Sequence, residues 1–297
     1  MTSAAANFAA VSSAASRFAA SIAVVTVCTP GRAEHLRSQR TAMAAHLPGA
    51  GHVVVLPERP GSSELAAELT AGGADVVELP AGPDLPVARS RNLGGDRAVE
   101  LGASLIVFLD VDCMPGPDLG RYYSELADGV VGLGPVTYLP ESARAPEPAD
   151  LPAHTDPHPA RPFPERGTRE LEPDEFGMFW SLSFALRPAL WTRLRTDFGG
   201  FDETFTGYGA EDTDFGRRLL YRRVPVVLVA GAHAYHRWHP VSDPPVDHLA
   251  DLLRNGAHYA ERWGDWPAPG WFAEFERLGL VRSTDDGGWE AVPPADC

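Results

Sequence analysis

The chain has 297 residues, 44% of them apolar, which is enough for one large α/β domain with a sizeable core. It carries 25 basic against 40 acidic residues, a formal charge of −15, and every basic side chain other than histidine is an arginine. So acidic a chain is excluded as a general nucleic-acid binder, which needs a positive face against phosphates, although a local arginine cluster for one small phosphorylated ligand stays compatible.

In chain order, residues 1–20, "MTSAAANFAAVSSAASRFAA", lack the basic start and continuous apolar core of a signal peptide and read as a mobile tail or loose helix. The runs "SIAVVTVC" (21–28), "HVVVL" (52–56), "ADVVEL" (74–79) and "SLIVFLD" (104–110) are β-branched, with polar, Ala-rich or Leu-spaced segments between them. That alternation predicts an α/β, doubly wound, mostly parallel sheet with helices on both faces. From 140 to 176 the density of proline forbids helix interior and sheet centre alike, predicting a loop or lid insertion. Then follow "FGMFWSLSFALR", the acidic stretch "GYGAEDTDF", a buried strand "VPVVLVA" (224–230), "HAYHRWHP" and Leu/Trp-rich C-terminal helices. Trp263, Trp266 and Trp271 are expected to pack against the sheet, with a membrane surface or partner as the alternative. One domain over 21–282 is expected, with 283–297 as a C-terminal tail.

No run of about eighteen apolar residues occurs, so no transmembrane segment is expected. Cys28, Cys113 and Cys297 are too few and too scattered for a disulfide framework or a zinc knuckle, and the expected setting is cytoplasmic, at most peripheral to a membrane. The phosphate-binding loop, dinucleotide fingerprint and hydrolase nucleophile elbow are all missing, which removes the main support for ATPase, nicotinamide and α/β-hydrolase chemistry.

Four stretches carry chemistry. "FLDVDCMPGPD" puts Asp110 and Asp112 where an apolar strand stops, the crevice position of an open α/β sheet. Two aspartates one residue apart can hold a hard divalent cation against a diphosphate, or form a solvated turn before the Pro-Gly breaker. "GYGAEDTDFGRRLL" sets Glu211, Asp212 and Asp214 at a helix start near Asp212, where the dipole and free N–H groups favour carboxylates. Capping needs only one of them. Gly207 and Gly209 suggest a backbone shaped for close approach, and a rigid carboxylate there suits a general base, with Asp214 as a structural cap or helix-side acid. His236 or, as the alternative, His239 is a candidate third metal ligand after a buried strand. Arg89 and Arg91 begin a helix, and Thr29, Pro30 and Arg32 follow the first strand, again at crevice positions.

In motif order, "TPGRAEHL", "ARSRNLG", "DVD", "WSLSFALR", "GGFDETFTGYGAEDTDF", the strand-end histidine and "RNGAHYAERWGDWP" resemble the GT-A glycosyltransferases. The resemblance is to family 2 members with a galactosyltransferase C-terminal-like segment, over roughly residues 21–270, and the Arg- and Ala-rich composition points to a bacterial source. It implies transfer of a hexosyl group from a nucleotide-diphospho-sugar, usually a UDP-sugar, to an acceptor hydroxyl with inversion, using Mn2+ or Mg2+. By position, Thr29, Pro30, Arg32, Arg89, Arg91, Asp110 and Val111 would border the donor, with Glu58 as a loose match for the acid on the base. Asp112 and His236 would hold the metal. Asp212 would be the catalytic base, Glu211 would hold donor or acceptor hydroxyls, and Trp180 and Tyr208 would face the acceptor. Ser183 stands where many relatives carry glycine or asparagine. The acceptor, whether glycan, glycolipid or small metabolite, is left open. So are retaining transfer, nucleotidyl transfer and a non-catalytic sugar- or metal-binding role.

Overall fold

The computed structural model describes residues 21–144, 146–285 and 287–293, so the expected tail over 1–20 and Cys297 lie outside it. Four parallel strands open the chain, β1 (Ile22–Val27), β2 (Gly51–Pro57), β3 (Asp75–Leu79) and β4 (Leu105–Leu109), where the β-branched runs predict them. Helices α1 (Ala33–His46), α2 (Ser62–Ala71) and α3 (Val87–Glu100) connect them. Next come β5 (Cys113–Pro115), α4 (Leu119–Ser124), β6 (Val131–Leu133) and β7 (Val136–Tyr138). After these lie β8 (Thr168–Glu170), β9 (Ser183–Leu186), α5 (Pro188–Phe198), α6 (Glu211–Tyr221), β10 (Val226–Val229) and β11 (Ala234–His236). Helices α7 (Leu249–Trp263) and α8 (Pro269–Arg277) precede a hairpin of β12 (Val281–Ser283) and β13 (Trp289–Ala291).

The main sheet has eight strands in the order β3-β2-β1-β4-β9-β6-β10-β8. β9 runs antiparallel to both β4 and β6, and β8 antiparallel to β10, so the sheet is parallel on one side and mixed on the other. The doubly wound expectation holds. Phe108 and Phe184 stack at 4.5 Å across the β4–β9 pair, and Trp191 and Phe201 close the same apolar layer. Burial of such aromatic area is what makes this layer the centre of stability.

Two segments, the Pro-rich insertion and the C-terminal end, carry local structure of their own. The Pro-rich segment, expected as a loop or lid insertion, is a loop with short ordered pieces. Proline does keep it out of α-helix, but it folds into 3-10 turns at Glu141–Ala143, Pro148–His154 and Pro173–Met178 and supplies edge strand β8. Leu151 is fully buried against Met114, Leu139 and Tyr235, and the His158 N–H donates to the Val136 carbonyl. At the other end, part of the expected tail is strand β13, whose Trp289 stacks on Phe272 at 5.8 Å. An exposed tryptophan there would cost apolar burial, which pulls this end onto α8.

A second, three-stranded sheet, β5-β11-β7, positions the site. Its register sets His236 opposite Cys113 on one side and Tyr138 on the other. The residue before Cys113 is Asp112, and its carbonyl accepts the Arg237 N–H at 2.7 Å. Strand pairing therefore draws two parts of the chain more than a hundred residues apart into one place.

Candidate active site

β1, β2 and β4 run parallel, so Thr29–Arg32, Glu58 and Asp110–Asp112 all follow strand ends on one edge of the sheet. Gln39 of α1 is buried and donates both amide hydrogens, to the Asp110 carbonyl at 2.8 Å and the Cys113 carbonyl at 2.9 Å. This pins the backbone on either side of Asp112. Sequence reasoning missed Gln39, a polar residue on the apolar face of α1. Val111 packs against the apolar cluster that includes Cys28, Leu36 and Val54, so it anchors the loop through its side chain.

Asp112, His236 and His239 form one cluster whose donor atoms lie within 4.8 Å of one another. His236 Nε2 is 3.5 Å and His239 Nε2 3.3 Å from the Asp112 carboxylate, so both histidines reach it. Burial pushes the Asp112 carboxyl up, but His236, the hydrogen bond from His239 and the Arg32 guanidinium outweigh it and hold it down at about 2. Burial lowers His236, against the pull of Asp112, which favours the neutral, metal-binding imidazole. Arg32 is 3.9 Å from Asp112 and its side chain is 40% exposed, so it can reach a second anion. His35 lies edge-on to His239 at 5.5 Å.

Asp110 turns away from this cluster. It accepts from Arg91 Nη2 at 2.9 Å, while Arg91 Nη1 donates to Glu211 at 2.6 Å. Burial works against the Arg91 charge, but Asp110, Glu211 and Asp212 raise its pKa further. Arg91 is thus committed to two carboxylates and positions them. Arg89 is exposed and turned towards Glu203 at 4.0 Å, and Glu58 is exposed beyond β2.

Asp212 is the second residue of α6. Its carboxylate accepts the Thr213 N–H at 2.7 Å and the Ser181 N–H at 3.3 Å. Burial, then the neighbouring Glu211 charge, push its pKa up to about 7 against the opposing pull of Arg91. Asp214 is fully buried and takes the structural role, accepting from Arg262 at 2.6 Å and Trp263 Nε1 at 3.0 Å, which ties α6 to α7.

The two glycines do meet a close neighbour, and it is helix α7. Gly207 has φ +73°, and a Cβ there would run into the Asp251 carboxylate, which accepts the Tyr208 N–H at 3.0 Å. Asn255 Nδ2 lies 2.9–3.1 Å from the Thr206, Tyr208 and Gly209 carbonyls. The loop ahead of the base is therefore held from α7 by a polar clamp that spacing alone did not reveal.

Trp180 and Tyr208 both precede Asp212 in the chain, and the Asp212 charge acts on Tyr208. Trp180 precedes Ser181, and Tyr208 is 39% exposed and stacks on His248 at 4.2 Å. Ser183 faces inward instead, its hydroxyl 2.8 Å from the Tyr123 hydroxyl. An aromatic wall absent from the sequence reading joins the two ends of the site. Tyr138 stacks on His236 at 4.6 Å and meets His158 at 5.4 Å, and His158 meets Trp180 at 5.4 Å.

The family model described as the N-terminal domain of galactosyltransferase matches residues 189–240, which include Glu211, Asp212, His236 and His239. Among solved structures, S. aureus TarS residues 1–349 match at TM-score 0.50 and 14% identity, covering 81% of this chain and 65% of that one. The same TarS segment in complex with UDP-GlcNAc matches at TM-score 0.50 and 13% identity, covering 81% and 66%. The chain spans less than two thirds of the length of these structures. No curated protein sequence matches it. The family model covers residues 189–240 alone, and at 13–14% identity the likeness to TarS is one of fold.

Proposed function

We propose that this chain transfers a sugar from a nucleotide-diphospho-sugar, first of all a UDP-sugar, to an acceptor hydroxyl with inversion at the anomeric carbon. The observation that carries this reading is Asp212, a partly buried carboxylate at a helix start with a pKa pushed up to about 7, on the same sheet edge as the Asp112 cluster. A base poised near the working pH accepts a proton most effectively.

Asp112, His236 and His239 would hold the divalent cation. One carboxylate and two imidazoles within 4.8 Å fit a first-row ion, and the imidazoles favour Mn2+ over Mg2+. When bound, the ion supplies positive charge to the departing diphosphate. Arg32 adds a second cation on the exposed side of Asp112. The Thr213 and Ser181 N–H groups fix the direction in which the Asp212 carboxylate points, so its free lone pairs face the acceptor. Asp212 takes the acceptor proton as that oxygen bonds to the anomeric carbon, and the bond to the diphosphate breaks with its electron pair leaving on the phosphate oxygen. Arg91 holds Glu211 beside Asp212 through a 2.6 Å hydrogen bond, and the Glu211 charge is one cause of the raised Asp212 pKa. Trp180 and Tyr208 offer faces to a sugar ring.

UDP-GlcNAc, the ligand of one TarS structure, is the first donor to try. The test is product formation from a panel of UDP-, GDP- and dTDP-sugars with Mn2+ and with chelator, together with the anomeric configuration of the product. An inverted product supports the assignment, and a retained one excludes Asp212 as the base for direct displacement.

A further inference from the structure

Resting on the transferase reading, we infer that Arg161 binds an anionic group of the substrate other than the donor diphosphate, a carboxylate or phosphate carried by the transferred sugar or by the acceptor. Two arginines are buried among the described residues, Arg91 at 6% exposure and Arg161 at 3%. Arg91 has two carboxylate partners, whereas Arg161 has none, and its Nε and Nη1 are buried without a hydrogen-bond acceptor. A guanidinium does not escape this by losing its proton, because even a lowered arginine pKa stays far above neutrality. An unpaired charge out of water is costly, and a bidentate carboxylate or phosphate is the partner that best offsets the cost.

The location says which anion. Arg161 lies over the Trp180 ring at 5.1 Å, and its backbone N–H donates to the carbonyl of His158, the residue that bridges Trp180 and Tyr138. It therefore stands on the wall that joins the Asp112 cluster to Asp212, and the Asp212 charge acts on it without an ion pair forming. The diphosphate end already has Arg32 beside Asp112. Arg161 belongs instead to the stretch where the sugar and the acceptor meet. It is supplied by the Pro-rich segment, which lies outside the motifs of the family resemblance, and specificity in such sites comes from loops.

The test uses the full chain with Mn2+ as wild type, Arg161→Met and Arg161→Lys. Binding of UDP, UDP-glucose and UDP-glucuronate is measured first. Glucose, glucuronate and glucose 6-phosphate are then titrated into the UDP complex. The expected result is a preference of roughly tenfold or more for an anionic member over its neutral counterpart. That preference is lost in Arg161→Met and reduced in Arg161→Lys, with UDP binding and the thermal midpoint of Arg161→Lys unchanged. Preference within the nucleotide sugars assigns the anion to the donor, and preference within the free sugars assigns it to the acceptor. Equal binding in both sets, with UDP still bound, overturns the inference and leaves Arg161 as a cation–π partner of Trp180. Failure of the wild type to bind UDP at all removes the transferase reading instead, and the inference falls with it.

Discussion

Arg91 reaches from α3 to Glu211 at the start of α6 with a 2.6 Å hydrogen bond, and its other nitrogen holds Asp110 at 2.9 Å. Two acids from separate motifs are thereby held by one buried cation. Removing that cation leaves Asp110, Glu211 and Asp212 close together and unpaired. Arg91→Met should destabilise the protein by about 3–5 kcal/mol, the scale for breaking a buried pair from one side. Chemical denaturation checks this, and a loss below about 1 kcal/mol would show that the acids do not depend on Arg91.

Asp212 should set the pH profile. With its pKa raised to about 7, the ionised base accumulates as pH rises, so kcat/KM should climb through pH 7 and level off above it. Asp212→Asn should reduce kcat by roughly 10²–10⁴-fold while donor binding persists. The stability sign runs the other way. An acid whose folded pKa exceeds its unfolded value contributes stability below pH about 4, and that contribution is lost as pH rises through 7. Asp212→Asn should therefore be the more stable protein at pH 8, with the difference shrinking towards pH 4. Melting both proteins across this range tests the burial of the charge independently of turnover.

Both histidines of the cluster should matter. His236→Ala and His239→Ala should each weaken Mn2+ binding by more than the 10–100-fold typical of outer-shell changes. Titration of Mn2+ followed by a shift in the melting midpoint reads this directly. An unchanged Mn2+ affinity in His239→Ala would confine the site to Asp112 and His236.

Gly207→Ala tests the clamp from α7. The backbone is left-handed there, and the new Cβ meets the Asp251 carboxylate, so the loop must shift. The expected cost is about 1–3 kcal/mol, with kcat falling because Tyr208 and the start of α6 move with the loop. Denaturation together with steady-state kinetics separates the two effects.

The sequence made the parallel half of the sheet legible because β1 to β4 are β-branched runs whose period is unambiguous. It also pointed to Asp112, His236 and Asp212, since each follows a strand end or opens a helix. What it hid is non-local. β5, β7 and β11 are three residues each, too short for a pattern, yet their register is what sets His236 beside Asp112. Gly207 and Gly209 read correctly as a close approach, but the approaching group, Asp251 with Asn255, lies over forty residues away. Arg161 and His158 sit among prolines, where helix and strand periodicity carry no information, and only the folded segment shows that they pack against Trp180.

The most direct measurement is calorimetric titration of UDP-GlcNAc and other UDP-sugars into the wild type with Mn2+, the wild type with chelator, and Asp112→Ala. The expected result is binding of at least one donor that requires Mn2+ and is lost in Asp112→Ala. Binding of no donor under any condition, or binding indifferent to both metal and Asp112, would contradict a metal-dependent transferase built on Asp112, His236 and His239.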